Sequence, residues 1–109
     1  MILAPDYEGT VAALAARGMP LRRESERDGR RQGFRRLGPA IMEIVEASDL
    51  HGPPRFWGLV VVVADLDALH AQLAPHLREP RAAVQPGRRI ATLGSSAGLS
   101  TQLAFMDSE

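Results

Sequence analysis

The sequence predicts an α+β fold made of two βαβββ modules, and three observations carry that prediction. The first is the stretch FWGLVVVVADLDALHAQLAPHL, Phe56 to Leu77. Leu59 to Val63 is an unbroken apolar run rich in β-branched residues, of strand length and far too short for a membrane span. Asp65 then offers a side-chain oxygen to cap free backbone N–H groups, and Leu66, Leu69, Leu73 and Leu77 recur at helical spacing. The second observation is a repeat: DYEGTVAAL from Asp6 matches DLDALHAQL from Asp65, FRRLG from Phe34 resembles IATLG from Ile90, and IMEIVE from Ile41 resembles QLAFMD from Gln102. The third is that the order of elements around these segments recurs. Units of about fifty residues that cannot bury a sheet face alone imply pseudo-symmetric packing around a shared cavity or groove.

Taken in order, Ile2 to Ala4 reads as a short first strand. Asp6 to Arg17 reads as a helix with Asp6 as N-cap, Tyr7, Val11 and Leu14 as its apolar stripe, and Gly18 as its stop. Leu21 to Arg27 and Arg31 to Leu37 flank the turn signal Asp28-Gly29 and form a hairpin. Gly38-Pro39 closes it. Ala40 to Glu46 is the next strand, with Ile41, Glu43 and Val45 on one face and Met42, Ile44 and Glu46 on the other. The polar stretch with Gly52, Pro53 and Pro54 is a linker. The second unit begins with Leu59 to Val63, expected to be a buried, central strand, followed by its helix, which Pro75 limits. Arg81 to Val84, Arg89 to Leu93 and Thr101 to Met106 are its remaining strands, with a turn at Gln85-Pro86-Gly87 and a small-residue loop over 94–100. A single domain over 1–109 is expected, with one module over about 1–48, a linker over 49–54 and a second module over about 55–109.

The composition, 45% hydrophobic and 24% charged over 109 residues, is that of an ordinary soluble globular domain. With no cysteine, disulfides and thiolate metal sites are excluded, which is compatible with a reducing compartment. Met1-Ile2-Leu3 runs into Ala4-Pro5-Asp6 without a basic region and a long apolar core, so no signal peptide or membrane segment is expected and the protein is read as cytoplasmic. Net charge is zero and all thirteen basic residues are arginine. Seven of them lie between Arg22 and Arg36. Such a cluster can face phosphate or carboxylate ligands, but Glu24, Glu26 and Asp28 interleave with it, and cross-strand ion pairs on a solvated hairpin explain it better than nucleic-acid binding does.

On these residues the chain resembles the vicinal-oxygen-chelate superfamily, which contains glyoxalase I, extradiol dioxygenases, methylmalonyl-CoA epimerase and the bleomycin-resistance proteins. The resemblance rests on the paired βαβββ order, on VVVVADLDAL, on FRRLGPAIMEIVE, and on the closing segment AVQPGRRIATLGSSAGLSTQLAFM. It implies a curved mixed sheet around a cavity with both helices on the convex side. It also implies, in catalytic members, a divalent metal held by a His or Gln near the start of each first strand and a Glu near the middle of each last strand. Carried over by position, Glu43 stands at one such place. The matching second-module position is Ala104, the first-strand position is Gly58, and the fourth falls before Met1. One carboxylate does not make a metal site, and His51, His70 and His76 lie outside the sheet face. No cofactor is therefore expected, with Zn, Ni, Mn or Fe entering only if the chain is a metal-dependent lyase or isomerase.

The resulting expectation is a glyoxalase or bleomycin-resistance-like binder of a small organic ligand. A metal-dependent glyoxalase-like enzyme and a degenerate structural module are the alternatives. Glu43, flanked by Ile41 and Val45, is the leading site residue, suited to general-base work if desolvated and otherwise to an ion pair with Arg36. Gln85, Arg88 and Arg89 form a turn able to grip an anion, or one stabilised by its own side chains. Phe34, Trp57 and Gln102 are candidate cavity liners, with core packing as the alternative for the two aromatics. No Ser/His/Asp arrangement or phosphate loop is present. A homodimer is expected, because a first strand of three residues leaves the first module's sheet poorly completed; no nucleic acid or membrane partner is.

Overall fold

The computed structural model describes residues 1–108. The first unit holds β1 (Ile2–Ala4), α1 (Tyr7–Ala16), β2 (Arg23–Arg27), β3 (Arg30–Leu37), β4 (Ala40–Glu46) and the two-residue β5 (Arg55–Phe56). The second holds β6 (Gly58–Val63), α2 (Leu66–Leu73), β7 (Arg81–Ala82), β8 (Arg89–Thr92) and β9 (Gln102–Asp107), with a 3₁₀ turn at Ser95–Ala97 before β9. The chain divides between Trp57 and Gly58 into two compact units. The fold is α+β, with a βαβββ order in each unit. Hydrogen bonding makes one sheet per unit: β2-β3-β4-β1-β5 and β6-β9-β8-β7.

Both helices start as their sequences dictate. Asp6 accepts a hydrogen bond from the Gly9 N–H at 3.0 Å, and Asp65 accepts one from the Ala68 N–H at 2.9 Å, each satisfying a donor that has no partner within the helix. The hairpin turn places Asp28 and Gly29 at φ of 53° and 75°, two consecutive positive values that match the twist of the flanking strands. In the first unit Tyr7, Val11 and Leu14 of α1 pack on Ala4 and Ile44, with Ile2, Leu21 and Met42 around them. Ile44 is completely buried. In the second, Leu66 is the buried anchor of α2, packed with Ala91, Leu69, Leu73, Leu93 and Phe105.

Three expectations change. Leu77 is not on the helix, which ends at Leu73; it enters the same core from an isolated bridge to Leu93. The run Leu59–Val63 is not central. β6 pairs only with β9, in parallel, and Leu59 to Val62 remain between 40% and 55% exposed. The comparison with the first unit supplies the reason: β1, the counterpart of β6, is interior because β5 pairs with its outer side, and no described strand does the same for β6. β5 also changes the account of β1, whose three residues lie between β4 and β5 instead of forming an open edge.

Truncating Ile44 to alanine should cost about 2–5 kcal/mol of unfolding free energy, because a fully buried branched side chain leaves a cavity. Truncating Val61 should cost under about 1 kcal/mol, as for a half-exposed edge position. Urea unfolding of both variants checks this; equal losses would mean that β6 is covered in solution.

Candidate functional site

The register of the first sheet sorts its side chains by chemistry. β3 and β4 run antiparallel with Phe34 opposite Glu43, Gln32 opposite Val45 and Arg36 opposite Ile41. Because Ile44 packs in the α1 core, strand alternation sends Glu43, with Ile41 and Val45, to the sheet face turned away from α1. Directly opposed residues share a face, so Phe34 and Arg36 lie there too. The row continues on one side to Arg23, whose guanidinium carbon sits 4.8 Å from the centroid of the Phe34 ring. On the other side it continues through β1 to Trp57, whose backbone N–H donates to the Met1 carbonyl at 2.9 Å. Four of the residues singled out in the sequence, Phe34, Arg36, Glu43 and Trp57, thus share one face.

The opposite face takes most of the carboxylates. In β2, RESER, alternation turns Glu24 and Glu26 toward α1 and leaves Arg23 and Arg27 on the other side. The Tyr7 hydroxyl donates to Glu24 at 2.9 Å, and burial with this bond pushes its pKa up to about 12. Arg31 donates to Glu46 at 2.6 Å and to Glu8 at 3.0 Å, joining β3, β4 and α1; its hydrogen bonds hold the Glu46 carboxyl below the usual range. Glu43 is left as a carboxylate among Ile41, Val45 and Phe34, on a face whose β2 and β3 arginines are Arg23, Arg27, Arg30 and Arg36. The considered ion pair with Arg36 is not among those of the described residues, since register sets Arg36 against Ile41. Burial pushes the Glu43 carboxyl above its ordinary value, partly offset by the positive charge of the chain's amino terminus.

The second unit separates its candidates. Arg89 faces α2 and directs its guanidinium inward: Nε donates to Asp107 at 2.8 Å, and both terminal nitrogens donate to Asp67 at 3.0 Å. These bonds depress the Asp67 carboxyl and tie α2 to β8 and β9, a structural use of the fork considered for a ligand. Gln85 is exposed in its turn, where its backbone carbonyl accepts from the Arg88 backbone N–H at 3.2 Å. Gln102 lies on the face of β9 away from α2, at a shallow hollow of about 80 Å³ formed with Leu93, Gly94, Ser95 and Thr101.

The histidines have other surroundings. His51 is exposed, His70 lies 3.5 Å from Glu79, and His76 Nδ1 is 3.0 Å from the Ser96 hydroxyl. Among the described residues no group of three or more His, Asp or Glu side chains is arranged to hold a metal ion. At the expected ligand positions, Ala104 is fully buried, and a Cβ on Gly58 would run into the Gln102 backbone carbonyl. The donor set within each unit does not form a metal site by itself.

A sheet of this order with a capped helix on one face, in two copies, is the fold that the resemblance to the vicinal-oxygen-chelate superfamily implies, and solved structures bear out that fold. Methylmalonyl-CoA epimerase from Mycobacterium tuberculosis is similar at 17% identity, covering 99% of this chain and 84% of that one, with a TM-score of 0.76. A methylmalonyl-CoA epimerase in complex with methylmalonyl-CoA and NH4+ is similar at 18% identity over 98% of this chain and 90% of that one, with a TM-score of 0.73. A hypothetical protein from Bacillus halodurans C-125 gives 12% identity, 99% and 90% coverage and a TM-score of 0.77. At these identities the likeness establishes the fold. No family model matches the sequence, and no curated protein does. The expectation that no cofactor is involved is corrected here: the similar structures include methylmalonyl-CoA epimerases, one of them in complex with methylmalonyl-CoA and the cation NH4+.

Glu43→Gln provides a test of the desolvated carboxylate. A raised folded-state pKa means that the folded protein holds its proton more tightly than the unfolded chain, so the stability contributed is present at low pH and is lost as pH rises through the folded value. The Gln variant should therefore melt above the parent at pH 7, and the gap should close on acidification to about pH 4, near the ordinary carboxylate range. A variant that melts lower at pH 7 would mean that Glu43 is held by a charge partner.

Proposed function

We propose that this protein binds a small anionic organic ligand on the sheet face of its first unit that carries Glu43, with Phe34 and Trp57 as apolar surfaces and Arg23 and Arg36 as the groups that attract the anion. The observation supporting this reading is the sorting of charge: the carboxylates of β2 and the Glu46 side chain are turned toward α1, and Glu43 remains on the other face without a guanidinium partner among the described residues. A desolvated carboxylate left in this state is a functional-site signature, because a purely structural strand position favours a residue with no charge to bury.

A second reading, proton transfer at carbon, is favoured by the raised Glu43 carboxyl. A general base with an elevated pKa is matched to removing a proton next to a carbonyl near neutral pH. The neighbours give this reading a substrate class, a carboxylated acyl thioester, since one of them is held with methylmalonyl-CoA. Glu43 would take the proton and return it, and an arginine would orient the carboxylate. A metal, where one is bound, would polarise the thioester carbonyl.

Calorimetry with methylmalonyl-CoA as probe, with added Mn²⁺ or Zn²⁺ and with a chelator, tests the binding. Glu43→Gln should weaken binding by about 1.5–3 kcal/mol, as for a hydrogen bond to a charged group. Unchanged affinity in Glu43→Gln would remove that residue from the site, and no binding under any condition would favour a structural module. Incubation in D2O separates the two readings, because proton transfer exchanges the α-hydrogen of the probe and binding alone does not.

We also propose a cytoplasmic homodimer. The support is the edge position of β6 in its sheet and its exposed apolar residues, which suit pairing with another chain, together with the absence of cysteine. Sedimentation that found only monomer at tens of micromolar would overturn the dimer.

A further inference from the structure

β5 gives the first unit something the second lacks. The two residues of β5 extend the sheet past β1, with Phe56 opposite Ile2 and so on the α1 side. α1 lies over β4 and β1 and does not reach this strand, which leaves Phe56 59% exposed. The space between them is a cleft of about 440 Å³, lined by Ile2, Ala13, Leu14, Pro54 and Phe56 and bordered by Arg17 and Arg55. That volume lies within the range of small-molecule sites, and a mostly apolar lining with few polar groups is their usual character.

The two arginines indicate what enters. Arg17 closes the C-terminal end of α1 and has no side-chain partner among the described residues. Arg55, opposite Leu3, starts on the other face of β5 and borders the cleft from the edge of the sheet; it donates one bond, to the His51 carbonyl at 2.8 Å, which leaves the rest of its planar fork available. No acidic residue is part of the lining. An apolar trough bordered by two cations and no carboxylate complements a molecule with a hydrocarbon body and a negatively charged head.

We propose that this cleft is a second binding site, separate from the Glu43 face, for a free aliphatic carboxylate. The hydrocarbon chain lies along Leu14, Ile2 and Phe56, and the carboxylate meets Arg17 and Arg55. The inference does not depend on the proposed function, because α1 and β5 carry this site and the Glu43 face is on the other side of the sheet.

The test is titration of the whole protein with hexanoate, octanoate and decanoate by calorimetry. Affinity should rise about fourfold per added methylene while chain is being buried, the factor that corresponds to roughly 0.8 kcal/mol. Decanol should bind more weakly than decanoate. Ala13→Phe, an exposed helix position that projects bulk into the cleft, should abolish binding without unfolding the protein, as far-UV circular dichroism would verify. Arg17→Gln and Arg55→Gln should each weaken decanoate at least fivefold and leave decanol unchanged, while Glu43→Gln should leave decanoate affinity as it was. No chain-length dependence, or decanoate binding that survives Ala13→Phe, would overturn the proposal. So would a cleft closed by a second copy, seen as a dimer that Ala13→Phe dissociates and decanoate does not.

Discussion

The register between β3 and β4 is the constraint on which the first unit depends. With Phe34 opposite Glu43, every second residue of both strands has its face assigned. Ile44 falls into the α1 core, Arg31 and Glu46 meet on the helix side, and Glu43 is turned the other way. A shift by one residue would bury Glu43 against α1 and expel Ile44 from the core, so hydrophobic burial and the Arg31–Glu46 bonds act together to keep the register. The desolvated carboxylate follows from the way the core is satisfied, and the side chains nearest it are apolar for the same reason.

The two units apply one plan to different ends. In both, an aspartate caps a helix, the first strand runs parallel to the last, and an arginine on the third strand links helix and sheet through two carboxylates: Arg31 with Glu8 and Glu46, and Arg89 with Asp67 and Asp107. Glu46 and Asp107 correspond in the repeat, and each accepts from the backbone N–H and the guanidinium of its arginine, Arg31 or Arg89. Where a clamp of this kind is built, an arginine in a ligand-like turn is already engaged, which explains why Arg89 is tied to its own fold. The units differ at β5, which completes one sheet and has no counterpart among the described residues of the other. Both the exposed edge of β6 and the cleft beside α1 come from that difference.

Sequence by itself determined the elements and their order, because the signals involved are local. Helix caps at Asp6 and Asp65, the Asp28-Gly29 turn, the alternation in IMEIVE and the repeat of all of these depend on residues within a few positions of one another. The face on which Glu43 lies was legible for the same reason, being a matter of period two. Tertiary structure alone decided the partners. That Arg36 stands against Ile41 and not Glu43 is a register fact, set by where the hairpin closes. Arg89 turns inward because Asp67 and Asp107, distant in sequence, converge on it. The valine run of β6 reads as a buried strand, yet it lies at an edge, because burial depends on whether another strand arrives beside it. The strand that could have predicted this, Arg55–Phe56, is two residues of polar linker and aromatic with no periodicity to reveal it, and its pairing with β1 exists only once the chain has folded back across more than fifty residues.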